Sequence, residues 1–389
     1  MSHKIESVTR FLSPPKQSCF LFGPRGTGKS TWIRNHFGDK ILYLDLLKFE
    51  VYQNLSANPG RLKELVEGSP GIDTVVLDEV QKAPELLDEV HSLMENNKRL
   101  RFILTGSSSR KLKRTGVNLL AGRALVKNLH PFMASELGDR FRMDSALQWG
   151  LIPLVTASSD PKGTLAAYAG LYLREEVQSE GLVRNIGSFA RFLEAMSFSH
   201  GSILNLSHVA RECQVGQKTA EGYLEVLEDL LLGHRIPVFR KRAKRELVSH
   251  PKFYYFDTGV FRSLRPSGPM DEPGLVPGAA LEGLVFQHLK AWVSYSGDDH
   301  TISYWRTRSG SEVDFVIYGK GFFCAIEVKN ADRIRTQDYS GLLAFGEEYP
   351  MAKRIMLYQG KQRFAHEGIL CLPCPEFLMN LRPGKSFAP

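Results

Sequence analysis

The chain has 389 residues, of which 43% are hydrophobic and 24% are charged. That length is too great for a single core and favours two or three folded domains, while the composition excludes a disordered or low-complexity chain. The formal net charge of +8 favours polyanionic partners, with nucleic acid as the leading candidate.

Membrane insertion and secretion are not expected from the sequence. Every apolar run is shorter than the roughly 18 residues of a membrane span, and the first residues lack the apolar core of a secretory signal. Five scattered cysteines fit a reducing compartment. We therefore expect a cytoplasmic protein without a membrane partner.

The first motif in the chain is a phosphate-binding loop between a predicted strand, Ser18–Phe22, and a predicted helix that continues over Thr31–His36. The loop fits G-x-x-x-x-G-K-[ST], in which backbone N–H groups surround a β-phosphate at a helix N-terminus. Lys29 is expected to reach the β- and γ-phosphate oxygens and Ser30 to ligate Mg²⁺. The predicted ATP contacts are Gly23, Pro24, Arg25, Gly26, Thr27, Gly28, Lys29, Ser30 and Thr31.

Short apolar runs then alternate with helical stretches as far as about residue 130, a pattern typical of a parallel sheet wrapped by helices. The runs are Phe20–Phe22, Ile41–Leu44, Thr74–Leu77, Phe102–Leu104 and Ala124–Leu129. The third run ends in Asp78 and Glu79, at the sheet edge where ligands bind. We expect Asp78 to hold Mg²⁺, directly or through water, and Glu79 to polarise the attacking water.

Hydroxyl groups and arginines follow the fourth run. Either Thr105 or Ser107 would orient the water or sense the γ-phosphate, although a serine-rich turn explains the pattern equally well. Arg123 stands before the fifth run, where its guanidinium would reach a γ-phosphate held by a neighbouring subunit of a homo-oligomer. Arg110 and Arg114 compete for that role, and a solvated surface arginine is the alternative.

These motifs resemble bacterial and archaeal AAA-type ATPases that carry a C-terminal domain of unknown function related to restriction endonucleases. The residues that carry the resemblance are Phe22–Arg25 with Gly28–Ser30, Leu77–Gln81 with Pro84, Leu104–Ser109, Leu120–Arg123 with His130–Phe132, and Tyr254–Gly259. The resemblance implies ATP binding, an AAA sheet with an additional strand, and a sensor between Thr105 and Ser107.

The middle of the chain reads as a helical segment that ends in a winged helix. Predicted helices are Leu165–Gln178, Phe189–Met196, Leu206–Cys213 and Lys218–Leu231, and predicted strands are Arg235–Phe239 and Phe253–Phe256. Between those strands, Arg240–Arg245 contains five basic residues in six, which favours contact with DNA phosphates. A solvated charged loop, and helices that serve only for packing or dimerisation, are the alternatives.

Two strand patterns near the C-terminus, Gly310–Tyr318 and Phe322–Lys329, predict a hairpin that turns at Gly319–Gly321. Alternation assigns one face to Val313, Phe315, Ile317, Cys324, Ile326 and Val328, and the opposite face to Glu312, Asp314, Glu327 and Lys329. Folding sets Asp314 nearly across from Glu327. Two carboxylates so close repel each other unless a cation lies between them, and Mg²⁺ suits such oxygen ligands.

This hairpin resembles the PD-(D/E)xK nuclease core. Asp314 matches the first acid, Glu327-Val328-Lys329 the E-x-K triplet, and Glu282, in a helix over Ala280–Lys290, the preceding acid. The resemblance implies a metal site at Glu282, Asp314 and Glu327, with Lys329 steadying the attacking water or the phosphate. Flanking phosphates would be bound by Arg306, Arg308, Arg333 and Arg335. The alternative is a salt-bridged sheet face balanced by Lys329 and Arg306.

The predicted fold class is α/β: a P-loop AAA-type parallel sheet, a winged-helix-like helical middle and a restriction-endonuclease-like α/β domain. The predicted domains span residues 1–150, 151–265 and 275–389, with the Pro/Gly-rich stretch Arg265–Gly278 before the last. We expect an ATP-hydrolysing protein, with ATP and Mg²⁺ as cofactors, coupled to a nuclease-like domain that acts on DNA. One alternative is an ATP-dependent switch that binds DNA or a protein without cleavage, and another is a nuclease whose assembly ATP controls.

Overall fold

The computed structural model describes residues 8–38, 40–107, 119–173, 178, 185–241, 243–269, 271–272 and 274–387. These residues form two compact units. Leu12–His130 and Asp229–Leu231 form one unit, and the rest of the described chain forms the other. The segments predicted as domains 151–265 and 275–389 lie in the same unit, and the boundary between them stays a prediction. No helix in the described ranges is both long enough and apolar enough to cross a membrane.

The unit that contains Leu12–His130 is built on a parallel five-stranded sheet in the order β2-β3-β4-β1-β5. Its strands are β1 Cys19–Phe22, β2 Leu42–Asp45, β3 Thr74–Asp78, β4 Arg101–Gly106 and β5 Leu125–Asn128. Its helices include α1 Lys29–Phe37, α2 Phe49–Ala57, α3 Arg61–Glu67 and α4 Leu86–Asn96. The predicted parallel α/β architecture of this segment is confirmed, and each predicted apolar run forms a strand.

The core of this unit explains why the strands are apolar throughout rather than alternating. Helices cover a parallel sheet on both faces, so that both sides of its central strands β1, β3 and β4 are buried. All four residues of β1 are buried, and its Phe20 and Phe22 pack with Leu77 of β3 and Leu104 of β4. The burial of each such side chain stabilises the fold by about 1.5–3 kcal/mol.

The second unit begins with helices and a small antiparallel sheet in the order β6-β8-β7. The helices in the described residues are α5 Ala134–Leu137, α6 Met143–Trp149, α7 Pro153–Thr156, α8 Pro161–Ala167, α9 Ile186–Ser197, α10 Leu206–Glu212, α11 Gln217–Asp229 and α12 Thr258–Leu264. The strands are β6 Ser202–Ile203, β7 Gly233–Ile236 and β8 Lys252–Tyr255. The predicted helical middle is confirmed, whereas its assignment to the winged-helix fold stays a prediction.

Several boundaries in this segment differ from those predicted, two of them by a change of structure. The strand expected over Arg235–Phe239 ends at Ile236, since Pro237 has no N–H to donate to a ladder. The helix expected over Leu165–Gln178 starts earlier and passes into a π-helical turn, Tyr168–Tyr172. Beyond Leu173, most of the predicted span lies outside the described residues.

The motif around Asp257 has a structural role. Its carboxylate caps α12 by accepting hydrogen bonds from Gly259 N (2.9 Å) and Val260 N (3.2 Å), and it also accepts one from Leu151 N (2.8 Å). A Cβ atom on Gly259 would lie 2.2 Å from the carbonyl oxygen of Trp149, so only glycine fits there. Burial raises the pKa of Asp257 to about 6.

A buried ion pair also holds the start of the described chain in this unit. Arg10 Nε lies 3.2 Å from Glu136 Oε2, and the Glu136 side chain is fully buried. The same carboxylate accepts hydrogen bonds from Phe11 N at 2.7 Å and Met133 N at 3.0 Å. Such a pair is costly to break because the remaining charge would stay buried without a partner.

The C-terminal part of the unit is a mixed six-stranded sheet in the order β13-β14-β12-β11-β10-β9. Its strands are β9 Thr301–Arg306, β10 Glu312–Gly319, β11 Phe322–Lys329, β12 Lys353–Tyr358, β13 Phe364–His366 and β14 Ile369–Pro373. The helices packed on it are α13 Leu275–Ser296, α14 Ser340–Glu348 and α15 Cys374–Asn380. A C-terminal α/β sheet domain is therefore present, as predicted.

The predicted hairpin is formed by β10 and β11, which pair Phe315 with Ile326. The predicted position of Val313 is wrong. The pairing of β10 with β9 shifts by one residue between Val313 and Val316, and this irregularity reverses the alternation. Phe315 packs in the cluster that includes α13, whereas Val313 packs with Val316 and Ala325 in the cluster that includes α14.

Candidate functional site

The phosphate-binding loop closes on itself through its own side chains. Gly28 precedes α1 with φ 90°, a left-handed conformation that glycine adopts without strain. Lys29 Nζ donates to the carbonyl oxygen of Gly23 at 2.7 Å, and Thr27 Oγ1 donates to that of Pro24 at 2.8 Å. The Lys29 ammonium thus lies inside the loop, where an anion would be bound. Gly26 has φ 81°, and the side chains of Arg25 and Thr31 are exposed.

Asp78 is the centre of a hydroxyl cluster at the carboxyl edge of the sheet. Ser30 Oγ donates to Asp78 Oδ2 at 3.0 Å, and the Tyr43 hydroxyl donates to the same oxygen. Thr105 Oγ1 donates to Asp78 Oδ1. Parallel strands bring their carboxyl ends to one edge, so residues 48 positions apart meet beside the phosphate-binding loop. Hard oxygen donors of this kind suit Mg²⁺.

Glu79 is held by contacts to its backbone and its carboxylate. It has φ 63° and ψ 47°, a left-handed conformation that is uncommon for a residue with a side chain. Its N–H donates to Thr105 Oγ1 at 3.0 Å, and Gln81 Nε2 donates to its carboxylate. Gln81 Nε2 also donates to Ser107 Oγ at 3.3 Å. Thr105 therefore contacts both acids directly, whereas Ser107 reaches Glu79 through Gln81.

Tyr43 and Gln81 are the residues of this site that sequence reasoning missed as functional. Tyr43 falls within the predicted second strand, and Gln81 follows the Asp78-Glu79 pair. A tyrosine near the carboxyl end of a parallel strand was the available signal. Burial and the hydrogen bond to Asp78 raise the pKa of Tyr43, which keeps its hydroxyl a donor.

Arg123 lies apart from this cluster. Its Nε is 2.8 Å from Glu95 Oε1 on α4. Arg123 precedes β5, whose Leu125 pairs with Cys19 at the start of β1, so the arginine lies at the amino edge of the sheet. It does not reach the phosphate-binding loop of its own chain, and a role in a neighbouring subunit stays a prediction. Its competitors Arg110 and Arg114 lie outside the described residues.

In the second unit, a buried lysine lies among the predicted acids. Lys252 Nζ is 3.1 Å from Glu282 Oε1, 2.5 Å from Glu312 Oε1 and 3.1 Å from Asp314 Oδ1. We call these four residues the acid–lysine cluster. Tyr254, two positions along β8, donates to Glu282 Oε1 at 2.5 Å. Burial lowers the pKa of Lys252, but the acids, Glu282 first, outweigh burial and keep the ammonium charged.

Asp314 also stands beside the E-x-K triplet. Its Oδ2 accepts a hydrogen bond from Val328 N at 2.9 Å, just beyond Phe315 and Ile326, the last paired residues of the hairpin. Glu327 Oε1 lies 2.8 Å from Lys329 Nζ, whereas Glu327 Oε2 is buried and has no hydrogen-bond partner in the described part of the chain. Burial, and then the Asp314 carboxylate, raise the pKa of Glu327.

The charges on this face are balanced by side-chain cations. Lys329 pairs with Glu327, Arg306 Nη1 pairs with Glu312 at 2.7 Å, and Lys252 adds a third cation. Among the residues that the structure describes, no three His, Cys, Asp or Glu side chains form a group that could hold a metal ion. The predicted Mg²⁺ site at Glu282, Asp314 and Glu327 therefore stays a prediction, and the salt-bridged alternative gains support.

Sequence reasoning missed Lys252. The predicted strand starts at Phe253, whereas β8 starts at Lys252, which alternates with Tyr254 and so shares a strand face with it. A lysine at the start of the apolar sequence Phe253–Phe256 was the available signal, because a charge carried into a buried strand requires acids opposite it.

The basic segment Arg240–Arg245 lies against the C-terminal sheet. Lys241 Nζ lies 4.0 Å from the ring centre of Tyr318, and Arg245 pairs with Glu347 at 2.6 Å. Arg242 is outside the described residues. These contacts take up part of the positive charge that was expected to meet DNA, and the wing-like role stays a prediction.

A more exposed basic surface follows β11. Residues 329–335 and Asp338 line an open cleft of about 730 Å³, which includes Lys329 and the exposed Arg333 and Arg335. Arg306 and Arg308, by contrast, are paired with Glu312 and Glu246. Of the four arginines expected to bind phosphates, the two at the cleft are therefore the better placed.

Family models match three consecutive parts of the chain. The model described as an AAA domain matches residues 15–138. Two domains of unknown function match residues 140–271 and, for the one designated DUF4143, residues 277–377. The first match, together with the phosphate-binding loop and the strand order, supports an AAA-type, nucleotide-binding ATPase domain. No chemistry for the remainder follows from these matches.

This chain is also similar to other proteins and to solved structures, but these similarities do not assign it an activity. Two uncharacterized proteins, from Mycobacterium bovis and Mycobacterium tuberculosis, are each 27% identical over 370 residues, covering 92% of this chain and 80% of theirs. An Aeropyrum pernix ORC2 structure in its ADP form has a TM-score of 0.28 and 15% identity, over 57% of this chain and 81% of that chain. The replication initiator DnaA bound to AMPPCP and single-stranded DNA has a TM-score of 0.28 and 14% identity, over 56% and 83%.

Proposed function

We propose that the protein binds and hydrolyses ATP in the unit that contains Leu12–His130. The observation that carries this proposal is the hydrogen bond of 3.0 Å between Ser30 Oγ and Asp78 Oδ2. It joins the last residue of the phosphate-binding loop to the acid that ends β3. These are the two oxygen ligands that a P-loop site uses to hold Mg²⁺ on nucleotide phosphates.

The remaining groups have definable tasks in such a reaction. Bound Mg²⁺ would supply charge neutralisation to the phosphates, held by Ser30 and Asp78. Lys29 would exchange its contact with the Gly23 carbonyl for phosphate oxygens. Glu79, held next to this site, would orient the attacking water and take up its proton. Arg123 would act only on a nucleotide in a neighbouring subunit.

The test compares ATP binding with turnover. Lys29→Ala is expected to abolish nucleotide binding measured by calorimetry, and Glu79→Gln to keep binding while losing about 100-fold or more in turnover. Lys63→Ala and Glu67→Gln are matched controls, because they change the same residue types in an exposed ion pair on α3. Turnover by Glu79→Gln at the wild-type rate would remove Glu79 from the mechanism, and no nucleotide binding by the wild type would reject the proposal.

For the C-terminal sheet domain we propose an action on DNA that ATP controls. The cleft beside Lys329, with the exposed Arg333 and Arg335, supports contact with phosphates. Cleavage would use Asp314, Glu327 and Lys329 with a divalent metal, as the resemblance to the nuclease core implies. The ion pairs of Lys252 and Lys329 with these acids favour the second candidate, a switch that binds DNA or a protein without cutting.

One experiment separates the two candidates. Wild type, Asp314→Ala and Lys329→Ala are incubated with single- and double-stranded DNA, with and without Mg²⁺ or Mn²⁺ and ATP. Cutting that both variants lose supports the nuclease, whereas binding without cutting supports the switch. Binding should weaken as salt rises, and Arg333→Ala should lower the salt dependence, if phosphates are the contact. A DNA affinity that does not change with salt concentration would reject the phosphate contact.

A further inference from the structure

The acid–lysine cluster joins the small antiparallel sheet to the C-terminal sheet and its helix α13. Lys252 comes from β8, the central strand of the small sheet, whereas Glu282 comes from α13, and Glu312 and Asp314 from β10. All four belong to one compact unit. The Lys252 side chain is only 3% exposed, and those of the three acids are 10–24% exposed. A single buried ammonium therefore lies within contact distance of three partly buried carboxylates.

The lysine is held firmly in this position. The backbone of Lys252 is flanked in the sheet by Ile203 of β6 and Ile236 of β7. Its Nζ also lies 5.6 Å from the ring centre of Tyr304. Tyr254, on the same face of β8, donates to the Glu282 carboxylate. Moving the ammonium out of the cluster would thus require either a new path for a buried side chain or the withdrawal of β8 with its sheet.

A second observation concerns the acid next to the cluster, Glu327. Glu327 Oε2 is buried and has no hydrogen-bond partner among the described residues, while its other oxygen pairs with Lys329. The Glu327 side chain is 9% exposed. Asp314 acts electrostatically on both Glu282 and Glu327. Besides Lys252, the cations Arg306 and Lys329 contact Glu312 and Glu327, so side-chain cations already pair with the acids of this face.

We propose that Lys252 is the resident cation of this site and excludes divalent metal from it. Removal of the ammonium would leave Glu282, Glu312 and Asp314 as a set of oxygen ligands for Mg²⁺ or Mn²⁺. Exclusion of metal would keep a metal-dependent step on DNA inactive, and only this consequence rests on the proposed DNA-acting role. Its test requires neither DNA nor nucleotide, so it fails or succeeds separately from that role and from the ATPase.

The test measures Mn²⁺ binding to the nucleotide-free, full-length protein by electron paramagnetic resonance of the free ion. Lys252→Met keeps the apolar stem and removes the charge. It is expected to bind one more Mn²⁺ than wild type, with an affinity for this site at least about tenfold higher, because one opposing charge at contact distance is gone. Adding Asp314→Asn should abolish that extra site. Lys63→Met, the same change in an exposed lysine, should bind like wild type.

Two results would overturn the proposal. Mn²⁺ binding by the wild type that Asp314→Asn removes would show that Lys252 does not exclude metal. Folded Lys252→Met that binds no more Mn²⁺ than wild type would show that the cluster is only an ion-pair network. If Lys252→Met does not fold, Lys252→Gln is tested in the same way, and the wild-type titration against Asp314→Asn decides independently.

Discussion

Thr105 provides the sharpest test of the nucleotide site, because one hydroxyl positions both acids. Its side chain is fully buried, donates to Asp78 and accepts the N–H of Glu79. Thr105→Val keeps the shape and removes these hydrogen bonds. A hydrogen bond to a charged group is worth about 1.5–3 kcal/mol, and an unsatisfied buried N–H costs about 1–3 kcal/mol. Since both losses occur at one atom and do not simply add, we expect a local destabilisation of about 3 kcal/mol.

The destabilisation has two measurable consequences. A loss of about 3 kcal/mol corresponds to roughly 100-fold faster hydrogen exchange at the Glu79 amide, resolved by mass spectrometry with fragmentation. The left-handed backbone of Glu79 loses a contact that holds it, so ATP turnover should fall about 10- to 100-fold. ATP affinity should change little, because Lys29 and the loop remain.

Thr105→Ser is the matched control, since it restores the hydroxyl and loses only a methyl group. It should approach wild type in both exchange and turnover. If Thr105→Val matched Thr105→Ser in exchange at Glu79 and in turnover, the hydroxyl would not position the acids, and the reasoning would be refuted.

Three further predictions concern the second unit. Gly259→Ala should lower the free energy of unfolding by about 2 kcal/mol or more in urea titrations, because its Cβ atom would meet the Trp149 carbonyl oxygen. Gly268→Ala is the control and should change this free energy little, because its Cβ atom would have no neighbour within 4 Å among the described residues. Glu136→Gln should cost about 3–5 kcal/mol by the same measurement, since it leaves a buried guanidinium without its charge partner; a change near zero would contradict that ion pair. Burial raises the pKa of Glu327 to about 8, so the folded state binds more protons than the unfolded state between its ordinary pKa of 4.5 and that value. Stability should therefore fall as pH rises through this window, and Glu327→Gln should lessen the slope, to which Glu282 and Asp257 also contribute because burial raises their pKa values to about 7 and about 6. An unchanged slope would assign the titration to those acids.

The nucleotide unit follows closely from its sequence because its signals are local. A buried parallel strand is apolar throughout, so each apolar run near Phe20, Val76 and Ile103 marks a strand without knowledge of its partners. The phosphate-binding loop then fixes which edge of the sheet carries chemistry. The contacts of Tyr43 and Gln81 were not predictable, because they depend on side-chain directions after the sheet has formed.

The C-terminal sheet was harder to predict because its charges are balanced across distant segments. Strict alternation placed Val313 on the wrong face, since nothing in the sequence marks the irregularity between Val313 and Val316. The turn at Gly319–Gly321 predicted that Asp314 lies near Glu327, which agrees with the pairing of the neighbouring Phe315 and Ile326. Lys252, 62 residues before Asp314, could not be assigned to that acid without the fold.

The two acidic sites differ in the groups that contact their carboxylates, and this difference affects how readily each would bind a metal ion. Asp78 is surrounded by hydroxyl groups, whose oxygens can turn a lone pair towards Mg²⁺ without leaving the site. Asp314 is in contact with an ammonium, which has no lone pair and must move before a metal can enter. Mg²⁺ should therefore bind at Asp78 together with nucleotide in the wild-type protein, whereas the acids around Lys252 should bind metal only when the ammonium is removed, as in Lys252→Met.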